Sequence, residues 1–155
     1  GRLERLRLGD YGKSPLIRAL TFDDFNKRFE PRVTAFEWLS RDRAEVDKYV
    51  QDPLCGFDAT IALWLEMVGL LLDINRPGEL ARAPKQLPVY IFSGSEDPVS
   101  ERTRGLKKFV QALKSAGVGG VTHRFYEGGR HEMLNETNRA EVHRDLVAWL
   151  DAKTA

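Results

Sequence analysis

A carboxylate and an imidazole, two groups that together perform acid–base chemistry, each follow an apolar stretch of this sequence. Asp97 lies in SGSEDPVS, directly after the run LPVYIF, and His131 lies in GGRHEM, shortly after VTHRFYE. An imidazole acts as a general base near neutral pH, and a carboxylate on its second ring nitrogen fixes the tautomer and stabilises the imidazolium. We therefore predict that Asp97 and His131 are the acid and the base of a nucleophilic site; the structural alternative for Asp97 is to cap the helix that follows it.

The nucleophile that such a pair would activate is not evident in the sequence. An acid followed by a histidine, with a crossover helix between them, is the order of the last two members of a Ser–Asp–His triad in α/β-hydrolases, whose serine lies in a G-x-S-x-G turn. No such motif occurs, since Ser93 lies in F-S-G and Ser95 in G-S-E. We therefore expect this chain, which begins at Gly1, to be the second half of a longer protein that carries the serine, and we expect the chain alone to be inactive.

The elements that must position Asp97 and His131 alternate between helix and strand. The predicted order is a helix from Ile61, a strand over 88–93, a helix over 106–113, a strand over 121–126 and a closing helix over 142–150. This order specifies a parallel sheet covered by helices, with both loops at the carboxyl edge where functional groups gather. Because two strands cannot bury such helices, we expect further strands of the sheet to be missing from the chain.

The first of these helices has a broad apolar face. Its members recur at helical spacing and are Ile61, Leu65, Val68 and Leu72. Such a face predicts a buried helix.

Residues 1–60 differ from this pattern, because aromatic and charged residues are mixed there without a steady period. Phe22, Phe25 and Phe29 fall on one face of a short helix that ends before Pro31. Ser40 is the predicted N-cap of a second helix. We interpret residues 1–60 as a helical cap or lid segment laid over a core that residues 61–155 form.

Three stretches of the sequence resemble a known family. LPVYIFSGSEDPVS and YEGGRHEMLNETNRAEVHRDLVAWLD are similar to the C-terminal half of lysophospholipase and monoacylglycerol-lipase-like α/β-hydrolases, often labelled serine aminopeptidase-type hydrolases. FNKRFEPRVTAFEWLSRDRAEVDKYVQDPLCGF resembles the cap segment of bacterial members. The resemblance implies the C-terminal part of an α/β-hydrolase fold plus a helical cap, with Asp97 and His131 as the catalytic acid and base.

The same resemblance implies a serine hydrolase that cleaves acyl esters, of the lysophospholipase, lipase or esterase kind. Its substrate would be an acyl ester or a lipid-like small molecule, and its serine would belong to the missing N-terminal half of the same enzyme. The aromatic residues of the cap segment either line a pocket for the acyl chain or pack its interior. They are Phe22, Phe25, Phe29, Phe36, Trp38, Tyr49 and Phe57.

The sequence leaves three alternatives to a serine hydrolase. The same acid and base serve epoxide hydrolases and dehalogenases of this fold, whose nucleophile is an aspartate. The chain could instead be a non-catalytic α/β interaction module, or a free-standing small α/β domain. The residue at the missing nucleophile position would decide among the enzymes.

Composition narrows the classes of partner. Lys and Arg total 24 against 23 Asp and Glu, and a net charge of +1 favours neither nucleic acid nor an anionic membrane. The single Cys55 forms no internal disulfide, which is typical of a cytoplasmic protein, and no stretch approaches the roughly 20 apolar residues that span a bilayer. No metal-ligand spacing or phosphate-binding loop predicts a cofactor. We interpret Cys55 as a small buried hydrophobe and His123 and His143 as structural or exposed, and no role follows for Arg130.

Overall fold

The fold is described by a computed structural model for residues 1–76 and 78–154. Its helices are α1 (Arg2–Leu8), α2 (Pro15–Leu20), α3 (Phe22–Asn26), α4 (Arg43–Gln51), α5 (Ile61–Ile74), α6 (Arg104–Ser115) and α7 (Arg139–Thr154). Its strands are β1 (Pro88–Gly94) and β2 (Gly120–Tyr126). Single 3₁₀ turns lie at Leu80–Arg82 and Met133–Asn135.

Strands β1 and β2 pair in parallel and are joined by a crossover through α6. Their pairing runs from Pro88 opposite Gly120 to Gly94 opposite Tyr126. The predicted order of helix, strand, helix, strand, helix from α5 onward is confirmed. Because parallel strands end at the same edge of a sheet, the loops that follow Gly94 and Tyr126 leave it side by side.

Helices cover both faces of this pair of strands. The cluster beneath α6 consists of Val110, Leu113, Val118 and Val121, with Val89 and Ile91 of β1 packed against it. The cluster beneath α7 consists of Tyr126, Met133 and Val142, with Phe92 of β1 packed against it. Strand β1 is almost continuously apolar because its alternate side chains face opposite helices.

Helix α5 begins where the sequence predicts, and the hydroxyl of Thr60 accepts the N–H of Leu63 at 3.3 Å. The prediction that its apolar stripe is buried holds at Ile61, which is fully buried, and is wrong further along the helix, where Val68 is 46% exposed and Leu72 is 68% exposed. Burial depends on neighbours, and within the described residues the main packing partner of α5 is the short helix α1. Apolar as α5 is, no helix in residues 1–76 and 78–154 has the length and apolarity to cross a membrane.

Residues 1–60, the N-terminal segment, contain α1 to α4. The prediction that Ser40 caps α4 is wrong, because the carboxylate of Asp42 accepts the N–H of Ala44 at 3.0 Å and takes that role. The hydroxyl of Ser40 instead donates to the carbonyl of Asn135 at 2.8 Å. Ser40 therefore joins the N-terminal segment to the loop that follows β2.

Candidate active site

Asp97 and His131 meet at the carboxyl edge of the sheet. Nδ1 of His131 lies 3.1 Å from Oδ1 of Asp97. Asp97 follows β1 and His131 follows β2, and these strands are direct neighbours. The contact has the hydrogen-bond geometry by which a carboxylate orients an imidazole.

The loops that carry the two residues are hydrogen-bonded to each other. The N–H of Glu96 donates to the carbonyl of Gly129 at 2.9 Å, and the hydroxyl of Ser95 accepts the N–H of Gly128 at 2.9 Å. The backbones approach so closely at Gly94 that a Cβ there would lie 2.0 Å from the carbonyl oxygen of Gly129. These two loops, residues 95–99 with the candidate acid and residues 127–132 with the candidate base, are here called the acid loop and the base loop, and they form one packed unit.

Asp97 is buried, with 5% of its surface exposed, and its two carboxylate oxygens have separate partners. Besides His131, Oδ1 accepts the N–H of Val99 at 3.0 Å, and Oδ2 accepts the hydroxyl of Ser93 at 3.2 Å. Helix α6 begins only at Arg104, so Asp97 is not its N-cap. The carboxylate of Asp97 therefore holds His131 and its own loop, and it does not cap the helix that follows.

Opposing influences set the pKa of Asp97. Burial of the carboxyl is the largest of them and raises the pKa, because it disfavours the charged form. The hydrogen bond and charge of His131, together with the N–H of Val99, act in the opposite direction and prevail, so the pKa lies below its ordinary value of 3.8. Asp97 is thus an ionised carboxylate at neutral pH, which is the state that stabilises an imidazolium.

His131 is more accessible than its partner, with 38% of its side chain exposed. Because Nδ1 faces the carboxylate, the proton of the neutral imidazole belongs on Nδ1 and the lone pair of Nε2 can accept another. Nε2 has no hydrogen-bond partner in the part of the chain that the structure describes. The ring of Trp38 packs against the imidazole, with the two centroids 5.1 Å apart.

Residues 37–41 of the N-terminal segment, here called the strap, run beside the base loop. The N–H of His131 donates to the carbonyl of Trp38 at 3.3 Å. The N–H of Glu132 donates to the carbonyl of Leu39 at 2.8 Å. The backbone of His131 is therefore held by a segment distant in sequence as well as by the sheet.

Arg130, to which the sequence assigns no role, connects the same two segments. Its guanidinium donates to the carbonyl of Glu37 and, at 3.1 Å, to the carbonyl of Ser40. It also lies over the ring of Phe29, with its Cζ atom 4.4 Å from the ring centroid.

Phe29 lies beyond the end of α3, so the prediction that it shares one helix face with Phe22 and Phe25 is wrong.

Sequence reasoning missed Glu136, which is completely buried. Its carboxylate accepts the N–H of Arg130 at 2.9 Å and the Nε–H of Arg41 at 2.9 Å. Burial is the largest influence on its pKa and raises it, but the hydrogen bonds from Arg130, Arg41 and Thr137 outweigh burial and hold the pKa below its ordinary range. Glu136 has no periodic spacing to mark it, and the arginines near it in sequence, Arg130 and Arg139, are the only signal.

An apolar cavity of about 320 Å³ lies between the N-terminal segment and α5. Its lining includes Phe22, Tyr49, Phe57, Leu63, Trp64 and Met67. The ring of Phe22 stacks on Trp38 with centroids 6.2 Å apart, and Trp38 in turn contacts His131. The wall of the cavity and the imidazole are therefore separated by the packed ring of Trp38, which contacts both Phe22 and His131.

Other reactive side chains lie outside the pair. Cys55 lines the cavity, and partial burial, helped by the Asp52 carboxylate, raises the pKa of its thiol, which keeps it from being a thiolate nucleophile. Ser93 is buried and donates to Asp97. His123 and His143 are exposed. Within residues 1–76 and 78–154, no three His, Cys, Asp or Glu side chains converge on a possible metal position.

Solved structures share this architecture. The chain superposes on a highly thermostable carboxyl esterase from Bacillus coagulans, in complex with glycerol, with a TM-score of 0.83 and 22% identity over 97% of this chain and 49% of the esterase. It superposes on a lipase in its open form with a TM-score of 0.83 and 25% identity, again over 97% of this chain and 49% of the lipase. The chain therefore has part of an α/β-hydrolase fold, as predicted, and spans about half the length of these structures.

The sequence also matches a defined family. Residues 11–138 match the family described as serine aminopeptidase, S33. The chain belongs to this family, which confirms the resemblance stated from its motifs.

Proposed function

We propose that this chain supplies the acid and the base of a Ser–His–Asp triad in a hydrolase that cleaves acyl esters. Asp97 is the acid, His131 is the base, and the nucleophilic serine and the oxyanion hole lie in an N-terminal part of the same enzyme, so that the chain alone is inactive. The observation that carries the proposal is the 3.1 Å contact between Nδ1 of His131 and Oδ1 of Asp97. A buried carboxylate and an accessible Nε2 on the opposite side of the ring suit these two roles.

The chemistry follows from this geometry. As the serine oxygen attacks the ester carbonyl carbon, Nε2 of His131 takes the hydroxyl proton. The bond to the leaving alcohol then breaks, and the same nitrogen returns the proton to the alkoxide. Water repeats the two steps and releases the acid. Asp97 remains ionised throughout and stabilises the imidazolium from Nδ1, in keeping with its lowered pKa.

The apolar cavity supports an acyl substrate. Apolar walls with a few polar groups are typical of small-molecule sites, and Phe22 of the cavity wall contacts Trp38, which packs against His131. We assign the acyl chain to it, with residues 1–60 as the cap and residues 61–155 as part of the core. A lysophospholipid, a monoacylglycerol and a simple ester all fit this description, and a cytoplasmic location stays a prediction from the single cysteine.

A serine nucleophile is preferred to the aspartate of epoxide hydrolases and dehalogenases. The chain belongs to a family of serine hydrolases, and the solved structures that it matches are an esterase and a lipase. These comparisons also favour an enzyme over a non-catalytic interaction module.

The test is the hydrolysis of p-nitrophenyl acyl esters by the full-length protein and two histidine variants. His131→Ala should reduce kcat by about 10⁴-fold or more, because the base and its proton relay are lost together. His143→Ala, which removes an exposed imidazole from α7, is the matched control and should keep the parental kcat. Parental turnover in His131→Ala would refute the proposed function.

A further inference from the structure

We propose that Glu136 is the positioning residue of the general base, because it fastens the loop that carries His131 to the strap. This inference rests on the proposed function, since it names the group that holds the base of that site. Glu136 does not reach the reacting atoms. It acts through two backbone N–H groups, that of Arg130 in the base loop and that of Arg41 in the strap.

The hydrogen bonds of Glu136 use both carboxylate oxygens. Oε1 accepts the N–H of Arg130 at 2.9 Å and the N–H of Arg41 at 3.1 Å. Oε2 accepts the Nε–H of Arg41 at 2.9 Å and the N–H of Thr137 at 2.9 Å. With the hydroxyl of Thr137, 3.4 Å from Oε2, five donors converge on a side chain with no exposed surface, and an ionised carboxylate accepts them on both oxygens without a proton of its own to place. A buried charge is costly unless it is fully paired, and the carboxylate of Glu136 is paired by these donors.

Two of these donors define the position of His131. The N–H of Arg130 belongs to the residue directly before the base, and that of Arg41 belongs to the last residue of the strap. The strap carbonyls of Trp38 and Leu39 accept the N–H groups of His131 and Glu132. Glu136 therefore fixes the spacing between the backbone of the strap and the backbone of the base loop.

Loss of the hydrogen bonds by which Glu136 joins the strap to the base loop should affect turnover more than substrate binding. A displacement of about 1 Å at a catalytic group can reduce turnover by about 100-fold. The cavity walls, by contrast, have no hydrogen bond to Glu136 among the described residues. We therefore expect Glu136→Ala to reduce kcat by about 100-fold and to change KM by less than about threefold.

The experiment compares Glu136→Gln and Glu136→Ala in the full-length protein, with Asp42→Ala as the matched control. Asp42 also joins the N-terminal segment to α7, since it accepts from Arg139 at 2.6 Å and caps α4, but it contacts neither Arg130 nor His131. For each variant we would measure kcat, KM, thermal unfolding and the proton resonance of His131 Nδ1–H. Glu136→Gln keeps the size of the side chain and one acceptor oxygen, so it should fold and show a smaller loss of kcat than Glu136→Ala.

A fall in kcat with a weakened Nδ1–H resonance, both absent from Asp42→Ala, would support the inference. A Glu136→Gln enzyme with a lower melting temperature, parental kcat and an unchanged Nδ1–H resonance would overturn it, since Glu136 would then only stabilise the fold. Different results would refute the proposed function and the proposed role of Glu136. Parental activity in His131→Ala defeats the function, whereas the Nδ1–H resonance of the Glu136 variants still reports whether Glu136 holds His131 against Asp97.

Discussion

Two buried carboxylates, Asp97 and Glu136, remain ionised at the loops beyond the strands, and each does so because hydrogen bonds outweigh burial. A carboxyl whose pKa is lower in the folded chain than in the unfolded chain stabilises the fold only while it is ionised. The acid of the candidate pair therefore also contributes to stability, and this contribution depends on pH.

The sign of that dependence follows from the lowered pKa of Asp97. Its stabilising contribution is fully present above the ordinary value of 3.8 and is lost as the pH falls through the lower value of the folded state. We predict that the free energy of unfolding of the parental protein falls more steeply than that of Asp97→Asn as the pH is lowered below about 4. Urea denaturation of both proteins between pH 7 and pH 3 measures this, and parallel curves for the two would contradict the prediction.

The sequence predicts Asp97 and His131 for a reason that does not extend to Glu136. A reactive residue just past an apolar strand is visible locally, because strand and loop are adjacent in the chain. The burial of Glu136 depends on Arg41, which lies 95 positions away, and a contact of that range leaves no local pattern. Arg130 could not be assigned for the same reason, since its acceptors in the strap are more than 80 positions distant, at Glu37 and Ser40.

Among the elements, the junction of β1 with the base loop leaves no room for a side chain at Gly94. A Cβ on Gly94 would lie 2.0 Å from the carbonyl oxygen of Gly129 and 2.3 Å from that of Arg130, and both are backbone atoms that cannot rotate away. We predict that Gly94→Ala destabilises the protein by about 3 kcal/mol, at the upper end of the usual cost of overpacking.

Gly119→Ala is the control for this prediction, because its nearest contact would be the Lys85 carbonyl oxygen at an ordinary 3.7 Å. Calorimetric melting of the two variants compares them directly. Equal melting temperatures for Gly94→Ala and Gly119→Ala would show that the close approach at Gly94 is not a constraint.

Element boundaries show where periodicity stops being informative. The apolar spacing of α6 is confirmed, but the helix begins only after a left-handed turn in which Glu101, Arg102 and Thr103 have φ of 53°, 56° and 68°. Such angles are uncommon for residues other than glycine, so nothing in the letters SERT indicates them. The sequence predicts Ser40 as the N-cap of α4 for a related reason, since Ser and Asp are comparable caps and the contact of Ser40 with Asn135 decides between them.

At the scale of the whole molecule, the chain combines a carboxylate in contact with an imidazole and a sequence that lacks a G-x-S-x-G turn. The alternation of helix and strand was enough to predict the parallel sheet and the edge at which Asp97 and His131 meet. It was not enough to predict the exposure of α5, because the sequence shows that a face is apolar and does not show what packs against it. The chain also spans about half the length of the solved structures that it matches, 49% in each case.

The central claim is that His131, oriented by Asp97, activates a serine from elsewhere in the enzyme. Labelling of the full-length protein with a fluorophosphonate, followed by mapping of the modified peptide, tests it most directly. We predict a single adduct on a serine in a G-x-S-x-G turn outside residues 1–155, and a labelling rate reduced by about 10³-fold or more in His131→Ala. An adduct on a serine within residues 1–155, or an unchanged labelling rate in His131→Ala, would contradict the account.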